Sequence, residues 1–425
     1  MRFTRVKGVH DIYEPEVQLY QKVEEISREV FRVYGFKEIR LPIIEYTELF
    51  QRSIGSTTDI VEKEMYTFND RAGRSITLRP EGTAGAVRAY IENGFYNLPS
   101  PQKFYYMGPM FRYERPQAGR YRQFHQIGVE AFGVAEPIMD AEVILLLRHL
   151  LYELGFNKLQ IELNSLGCPE CRPFYRDKLL DFFSLKIKAF CSDCQRRFEK
   201  NPLRLLDCKV PQCIKAREDA PSILDSLCEN CKAHFNRVIS YLDYMGISFS
   251  VTPTLVRGLD YYTRTIFEIK SESLGGQNAI AAGGRYDNLV EEFGGPPTPA
   301  IGFAIGVERL VSLLKIEKAV ELLPDCYIAF IGEEAERLSL RMGEGLRQKG
   351  FWIEIGTGGS LKSQLRKADR LKARYAIIIG EEEIKRSVIR WKRLSDGQEG
   401  ECSEEEIEKI INSNQKSEIR SQSLK

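Results

Sequence analysis

The sequence predicts an α+β protein in three parts: a domain built on an antiparallel sheet flanked by helices, a Cys-rich helical insertion that interrupts it, and a smaller α/β domain at the C-terminal end. Three observations lead there. The runs Lys103 to Phe111 and Arg122 to Phe132, separated by the polar loop Tyr113 to Tyr121, read as one long antiparallel strand pair. Eight of the ten cysteines fall between Cys168 and Cys231, where strand-like alternation stops. From Pro324 onward strand and helix patterns alternate, as in a small domain with a mainly parallel sheet.

A chain of 425 residues accommodates two or three domains. Its 43% hydrophobic and 28% charged residues are ordinary globular values and exclude collagen-like, mucin-like and wholly disordered chains. Lys and Arg number 61 against 60 Asp and Glu, so any nucleic-acid contact must come from local basic patches rather than a global positive field. The start, MRFTRVKGVHDIYEPE, lacks an apolar h-region, and no run of about 18 uninterrupted apolar residues occurs. Neither secretion nor a membrane span is expected. A cytoplasmic location follows, where thiols are more often metal ligands or buried apolar groups than disulfides.

Taken in order, Leu19, Val23, Ile26, Val30 and Phe31 recur at helical spacing after Glu14-Pro15-Glu16, and Gly35 stands where a glycine ends a helix. Short strands are expected at Ile39 to Ile44, Met65 to Phe68 and Ile76 to Arg79. After the long pair comes a helix from about Ile138 to Leu154, with an apolar face of Val143, Ile144, Leu146, Leu147, Leu150 and Leu151, and then the strand Leu159 to Leu163. Strands return at Tyr261 to Lys270 and Asn278 to Ala282, and the Gly-rich stretch Gly294 to Gly306 runs into a helix, Val307 to Leu314. Beyond Pro324 strands are expected at Tyr327 to Ile331, Trp352 to Ile355, Tyr375 to Ile379 and Ser387 to Leu394. Helices are expected there at Glu336 to Lys349, Leu361 to Leu371 and Glu404 to Ile411. The parts are therefore 1–164 with 251–320, an insertion over 165–250, an α/β domain over 325–412, and a polar tail, 413–425.

Chemistry concentrates in Phe111 to Glu130, where Arg112, Arg115, Arg120 and Arg122 are interleaved with Tyr113, Tyr121 and Phe124. Guanidinium groups clamp phosphates and aromatic rings stack on bases, which suits a nucleotide, although a basic solvated hairpin has the same composition. Arg79-Pro80-Glu81-Gly82-Thr83 ends a strand and starts a helix; its carboxylate and hydroxyl could hold an ammonium group or simply cap the helix. Arg257-Gly258-Leu259-Asp260-Tyr261-Tyr262 offers a second phosphate contact and a polar aromatic pocket, or ordinary strand packing. Gly283-Gly284-Arg285-Tyr286-Asp287 and Gly302 to Arg309 pair glycines with arginine. No P-loop, no G-x-G-x-x-G opening a βαβ unit and no H-E-x-x-H is present, so nucleotide handling must rest on arginines in an antiparallel sheet.

Together these segments resemble the histidyl-tRNA synthetases, a family of class II aminoacyl-tRNA synthetases. Ile39 to Phe50 around Pro42 is similar to the dimer-forming motif 1, Phe111-Arg112-Tyr113-Glu114 with Arg122-Gln123-Phe124 to motif 2, and Gly302 to Arg309 to motif 3. The histidine-specific signatures are similar to Leu255 to Tyr262 and Ala282 to Asp287. The resemblance implies a class II catalytic core that forms histidyl-adenylate from L-histidine and ATP, with Mg2+, and passes the histidyl group to tRNA(His). By the family pattern Arg112 holds the α-phosphate and carboxylate, Glu114 reads the adenine region, Phe124 stacks on adenine, Arg309 pins the triphosphate, and Arg257 stands as a fixed cation at the reacting phosphate. Glu81 and Thr83 would take the α-ammonium with Gln126 nearby, and Glu130, Tyr262 and Tyr286 the imidazole. Arg115 and Gln117 would meet tRNA, as would Arg366 and Arg370 of a C-terminal anticodon-binding domain. A homodimer without membrane attachment is implied. Two other readings compete: a synthetase-like regulatory subunit of the first enzyme of histidine biosynthesis, and a class II synthetase for another amino acid.

The insertion adds a separate expectation. Cys168-x2-Cys171, Cys191-x2-Cys194 and Cys228-x2-Cys231 have the spacing by which a tight turn offers two thiolates to one metal, and Cys208-x4-Cys213 is a looser fourth pair. Four pairs suffice for two structural zinc sites, with the pairing left open by the sequence. One zinc site, or buried thiols filling a small helical core, are the alternatives.

Overall fold

The computed structural model describes residues 3–55, 58–115, 120–271, 279–314 and 323–412. The chain divides into two units, Met1–Glu317 and Lys318–Lys425. Gln117 and the tail 413–425 lie outside the described residues. Among those described, no helix is long and apolar enough to cross a membrane.

In the first unit α1 (Glu16–Val33) buries Tyr20, Val23, Val30 and Phe31 along one stripe, and Gly35, at φ +76°, ends it as its position predicts. The segment Ile39 to Ile44 departs from the strand expected of it. β1 (Lys37–Glu38) extends the edge of the main sheet by two residues, whereas β2 (Ile44–Tyr46) joins β3 (Tyr66–Asn69) and β4 (Ser75–Leu78) in a separate sheet of order β2-β4-β3. Between β1 and β2 the chain changes sheets at Pro42, which has no N–H to give to a ladder. The buried Arg79 takes up the freed carbonyls, its guanidinium donating to Leu41 O at 2.7 Å and to Pro109 O at 2.9 Å. α2 (Thr47–Ile54) packs on β4 and on α3 (Thr83–Glu92).

β5 (Gln102–Phe111) and β6 (Gln123–Phe132) pair antiparallel from end to end, Gln102 opposite Phe132 and Phe111 opposite Gln123. α4 (Pro137–Glu153) and β7 (Gln160–Ser165) follow, and then the insertion with α5 (Cys171–Ser184), α6 (Ser192–Arg197), α7 (Pro211–Ala216) and α8 (Glu229–Tyr244). The chain returns through β8 (Ser250–Val251), β9 (Thr263–Lys270), β10 (Ala279–Arg285), α9 (Leu289–Glu292), β11 (Ala300–Gly306) and α10 (Val307–Leu313). The main sheet has the order β1-β5-β6-β11-β10-β9-β7-β8, antiparallel except for the short edge pairs β1 with β5 and β7 with β8. Side-chain alternation gives it two faces. Tyr105, Val129, Phe267 and Ile305 join the core against α1, α4, α8 and α10, while Phe104, Tyr106, Ile266 and Tyr286 share a second core with α3 and with Tyr175, Leu179 and Phe183 of the insertion.

The second unit holds β12 (Cys326–Phe330), α11 (Glu333–Gln348), β13 (Ile353–Ile355), α12 (Leu361–Arg370), β14 (Tyr375–Ile379), α13 (Glu381–Lys385), β15 (Ile389–Arg393), β16 (Glu399–Cys402) and α14 (Ile407–Asn412). In its sheet, ordered β13-β12-β14-β15-β16, the first three strands pair parallel, and β15 pairs antiparallel with both β14 and β16. The mainly parallel sheet expected here is mixed because β14 reaches β15 through 380–388 and β15 reaches β16 through a tight turn at Gly397, at φ +77°, and connections so short reverse the chain rather than cross over.

Candidate active site

The second face of the main sheet carries a floor of very small residues. Opposite Gln126, Gly128 and Glu130 of β6 stand Gly306, Ala304 and Gly302 of β11. The gaps are occupied by neighbours: a Cβ on Gly302 would lie 1.9 Å from the Glu130 carboxylate, and one on Gly128 would lie 2.3 Å from the Tyr106 ring. Above this floor opens a cavity of about 240 Å³ lined by Glu81, Thr83, Arg112, Glu114, Arg120, Phe124, Gln126, Arg257, Tyr261, Tyr262, Glu308 and Arg309, among others.

One end of the site is a buried network around Glu130, which is 1% exposed. Tyr286 donates to its Oε2 at 2.5 Å, while Thr83 at 2.7 Å and Tyr106 at 3.2 Å donate to Oε1. Burial pushes the Glu130 carboxyl up to about 8, against the pull of Tyr286 and Thr83. Glu81, on the turn before α3, accepts from the Thr83 and Ala84 amides at 2.6 and 2.9 Å. Its pKa is raised by burial, with those amide bonds opposing. Gln126 Oε1 is buried with no partner among the described residues, so it is available to a ligand donor.

The other end is cationic. Arg112, Arg120, Arg257 and Arg309 all line the cavity. Arg112 is aimed by Nε donating to Pro80 O at 2.8 Å and lies over the Phe124 ring at 5.3 Å. Arg257 Nη1 is held 2.7 Å from Glu268 Oε2, and Arg309 Nη1 donates to Ala279 O at 2.5 Å. Burial, with the neighbouring Arg120 next, pulls the Arg309 pKa below the usual arginine value. Four guanidinium groups around one small cavity are suited to a polyphosphate, and the aromatic ring beside them to a base.

The chain was compared with known proteins. The sequence profile described as histidyl-tRNA synthetase matches residues 8–169 and 206–310. The chain is 54% identical to the histidine--tRNA ligase of Thermodesulfovibrio yellowstonii, over 97% of this chain and 98% of that one. It belongs to the histidyl-tRNA synthetase family. The apo histidyl-tRNA synthetase of S. aureus has a similar structure, with TM-score 0.79 and 36% identity over 96% of this chain and all of the other. A Bacillus halodurans protein described as an ATP phosphoribosyltransferase regulatory subunit/histidyl-tRNA synthetase shares the fold alone, at 19% identity and TM-score 0.63 over 89% of this chain and 98% of that one. Residues 325–414 match the profile of the anticodon binding domain.

Set against the residues singled out in the sequence, Glu81, Thr83, Arg112, Glu114, Phe124, Gln126, Arg257, Tyr262 and Arg309 meet in the one cavity. Glu130 and Tyr286 sit behind it, joined to it through Thr83. Arg115 is exposed and does not line the cavity. In the second unit Arg366 and Arg370 are exposed on α12, whose start is fixed by Ser360 accepting from the Ser363 amide. Sequence reasoning missed Tyr106 and Glu268, and it quoted Tyr261 and Glu308 only as members of longer motifs. Glu268 left a signal, a lone carboxylate between Phe267 and Ile269 on a strand; Glu308 left little, since its bonds run to the His125 amide and ring across 183 residues.

The eight insertion cysteines gather in two sets, Cys168, Cys171, Cys228 and Cys231, and Cys191, Cys194, Cys208 and Cys213, with each set's sulfurs within 4.8 Å of one another. The pairing left open by the sequence is therefore nested, outer pair with outer and inner with inner. Cys168 Sγ lies 3.7 Å from Cys171 Sγ and 3.9 Å from Cys228 Sγ, and Cys191 Sγ lies 3.9 Å from Cys208 Sγ. A tetrahedral site with Zn–S bonds of about 2.3 Å has sulfur–sulfur edges of about 3.8 Å. The amides of Cys228 and Cys191 each donate to a sulfur of their own set at 3.1 Å, which suits thiolates.

Proposed function

We propose that this chain ligates L-histidine to tRNA(His) at the expense of ATP. A histidine carboxylate oxygen attacks the α-phosphorus, forming histidyl-adenylate as the bond to pyrophosphate breaks; a hydroxyl of the terminal adenosine of tRNA then takes the acyl group and AMP leaves. The observation that carries the reading is the meeting of four arginines with a buried, triply hydrogen-bonded glutamate at opposite ends of one site, in a chain of this family.

In this reading Arg112 holds the α-phosphate and carboxylate, Arg257 neutralises the charge that builds on the reacting phosphorus, and Arg309 orients the triphosphate. Phe124 stacks on adenine and Glu114 accepts from its amino edge. Glu81, Thr83 and Gln126 receive the α-ammonium. Glu130, with Tyr286 and Tyr262, receives the imidazole, and an apolar analogue there would leave those polar groups unpaired. Two carboxylates near the cationic end already face arginines, Glu114 facing Arg120 and Glu268 facing Arg257, while Glu308 accepts from the His125 amide. Mg2+, which takes oxygen donors, would therefore be held chiefly by the ATP phosphates, with Glu114 and Glu268 adding a protein oxygen only in exchange for their arginine contacts; it would offset triphosphate charge.

The 325–412 domain docks the anticodon, with Arg366 and Arg370 contacting phosphates, and Arg115 and Gln117 serve the acceptor end. Exposed Ile43, Ile44 and Tyr46 in the segment similar to motif 1 support a homodimer formed there, working in the cytoplasm. The two cysteine sets are read as structural zinc sites, since four thiolates leave no open position for chemistry. A regulatory-subunit role is disfavoured, because the ATP-site arginines converge and the anticodon-binding match is present. ATP–pyrophosphate exchange dependent on histidine, and on no other amino acid, is the expected result; exchange absent with histidine would overturn the reading.

A further inference from the structure

We infer that the two cysteine sets, each closed by a zinc ion, act as a clamp that holds the turn Arg257 to Asp260 in place, and with it the arginine and tyrosines of the site. This rests on the zinc reading above and goes beyond it, because it gives the metals a consequence at a pocket they do not line.

Three insertion side chains grip the turn. Arg172, the residue after Cys171, directs both Nη atoms at the Asp260 carbonyl, at 3.4 and 3.5 Å. Asn201 Nδ2 donates to Asp260 Oδ1 at 3.0 Å, and Arg204 Nη2 donates to the Gly258 carbonyl at 2.6 Å and to Asp260 Oδ1 at 3.3 Å. Each gripping residue lies next to, or between, cysteines of one set. Asn201 and Arg204 stand on the loop that leaves Cys194 and returns at Cys208, whose regular pieces are the end of α6 and a 3-10 helix of six residues, Pro202–Asp207. Elements so short do not hold themselves in water. Joining the loop's two ends at one metal removes much of its conformational freedom, as a cross-link would, with the thiols releasing protons on binding.

The outer set anchors the same clamp to the core. It opens α8, and His234, one turn beyond Cys231, meets Asp140 Oδ2 through Nε2 at 2.8 Å while Arg264 Nη1 lies 3.2 Å from its Nδ1. Arg264 can only donate, so Nε2 carries the proton. Asp140 in turn receives Arg285 Nε at 2.6 Å, next to Tyr286. On the other side of the turn the Asp260 amide donates to Ile54 O at 3.1 Å, so the turn is held between the insertion and α2. Arg172, Asn201 and Arg204 are thus positioning residues.

The test uses the full chain purified without added metal. Two zinc ions per chain are expected; less than about 0.2 per chain, with all thiols titrating freely, refutes the zinc reading and the clamp with it. The clamp is tested apart from that reading by Arg204→Met and Asn201→Ala, which leave every cysteine in place. Both should keep two zinc ions, raise the histidine KM about tenfold in pyrophosphate exchange and lower kcat, with the ATP KM within about twofold. Cys208→Ser should retain one zinc and show the same histidine-weighted defect. Parent-like kinetics in the two-zinc variants overturn the clamp and leave the zinc reading standing. Equal loss of both substrates there would mark a general packing defect and overturn it too.

Discussion

Replacing Arg257 with alanine should cut histidine activation about a hundred- to a thousand-fold while leaving the fold in place. The guanidinium lines the cavity, is 20% exposed, and is aimed by a single carboxylate, Glu268, at 2.7 Å. One positioned cation at a developing charge is worth about 3 to 4 kcal/mol, and each 1.4 kcal/mol is about tenfold in rate. The truncation has a second effect, since it leaves Glu268, 14% exposed, without its partner beside the proposed triphosphate site. A double-mutant cycle separates the two. Glu268→Gln alone should cost about tenfold, because the cation stays but loses its tether, and the pair Arg257→Ala with Glu268→Gln should fall no further than Arg257→Ala alone. The assay is ATP–pyrophosphate exchange at saturating histidine, with thermal unfolding as the control. Exchange within tenfold of the parent in Arg257→Ala, or two losses that simply multiply in the double variant, would remove Arg257 from the chemistry and Glu268 from its support.

Three further outcomes are expected. Glu130→Gln and Tyr286→Phe should raise the histidine KM at least tenfold with little change for ATP, since their bonds lie at the end proposed to take histidine; steady-state exchange kinetics check this, and equal changes for both substrates would count against the assignment. The native Glu130 carboxyl, raised to about 8 by burial, keeps its proton where an unfolded chain has lost it. Its contribution, on the order of a few kcal/mol, is full below about pH 4.5 and is lost as pH rises through about 8, so Glu130→Gln should flatten the fall of Tm between those limits. Deleting residues 325 to 425 should spare pyrophosphate exchange and impair tRNA charging; loss of both in a folded protein would deny the division of labour.

Part of the site was legible in composition, since Arg112 and Phe124 lie in one run of interleaved arginines and aromatics. Gln126 and Glu130 were reached only through the family resemblance, and the paired hairpin then sets them on one strand with Phe124. What escaped depends on distant pairing. Tyr106 reaches Glu130 across the sheet only because Gly128, opposite it, has no side chain, and that register is set by the fold. The strand expected over Ile39 to Ile44 failed for a similar reason: its apolar pattern is real, but Pro42 and the buried Arg79 carry the chain from one sheet to another. The cysteine spacing announced metal-like pairs, whereas their nested joining needed the packing of α5 against the 3-10 turns between them.

Glu81 shows why local signals alone could not separate structure from function here. Its place before α3 suggested a helix cap, and its carboxylate does accept the Thr83 and Ala84 amides at 2.6 and 2.9 Å. Those bonds consume part of the acceptor capacity of its two oxygens, and they fix both oxygens at the cavity wall rather than withdraw them from it. A helix N-terminus favours negative charge, so it works against the burial that raises the carboxyl's pKa. An ammonium group entering the cavity would complete that compensation, supplying a full positive charge where the helix supplies a partial one. The cap therefore holds a buried carboxyl rigid at the cavity wall, and under the proposed function the two readings of Arg79 to Thr83 describe one arrangement before and after an ammonium group arrives.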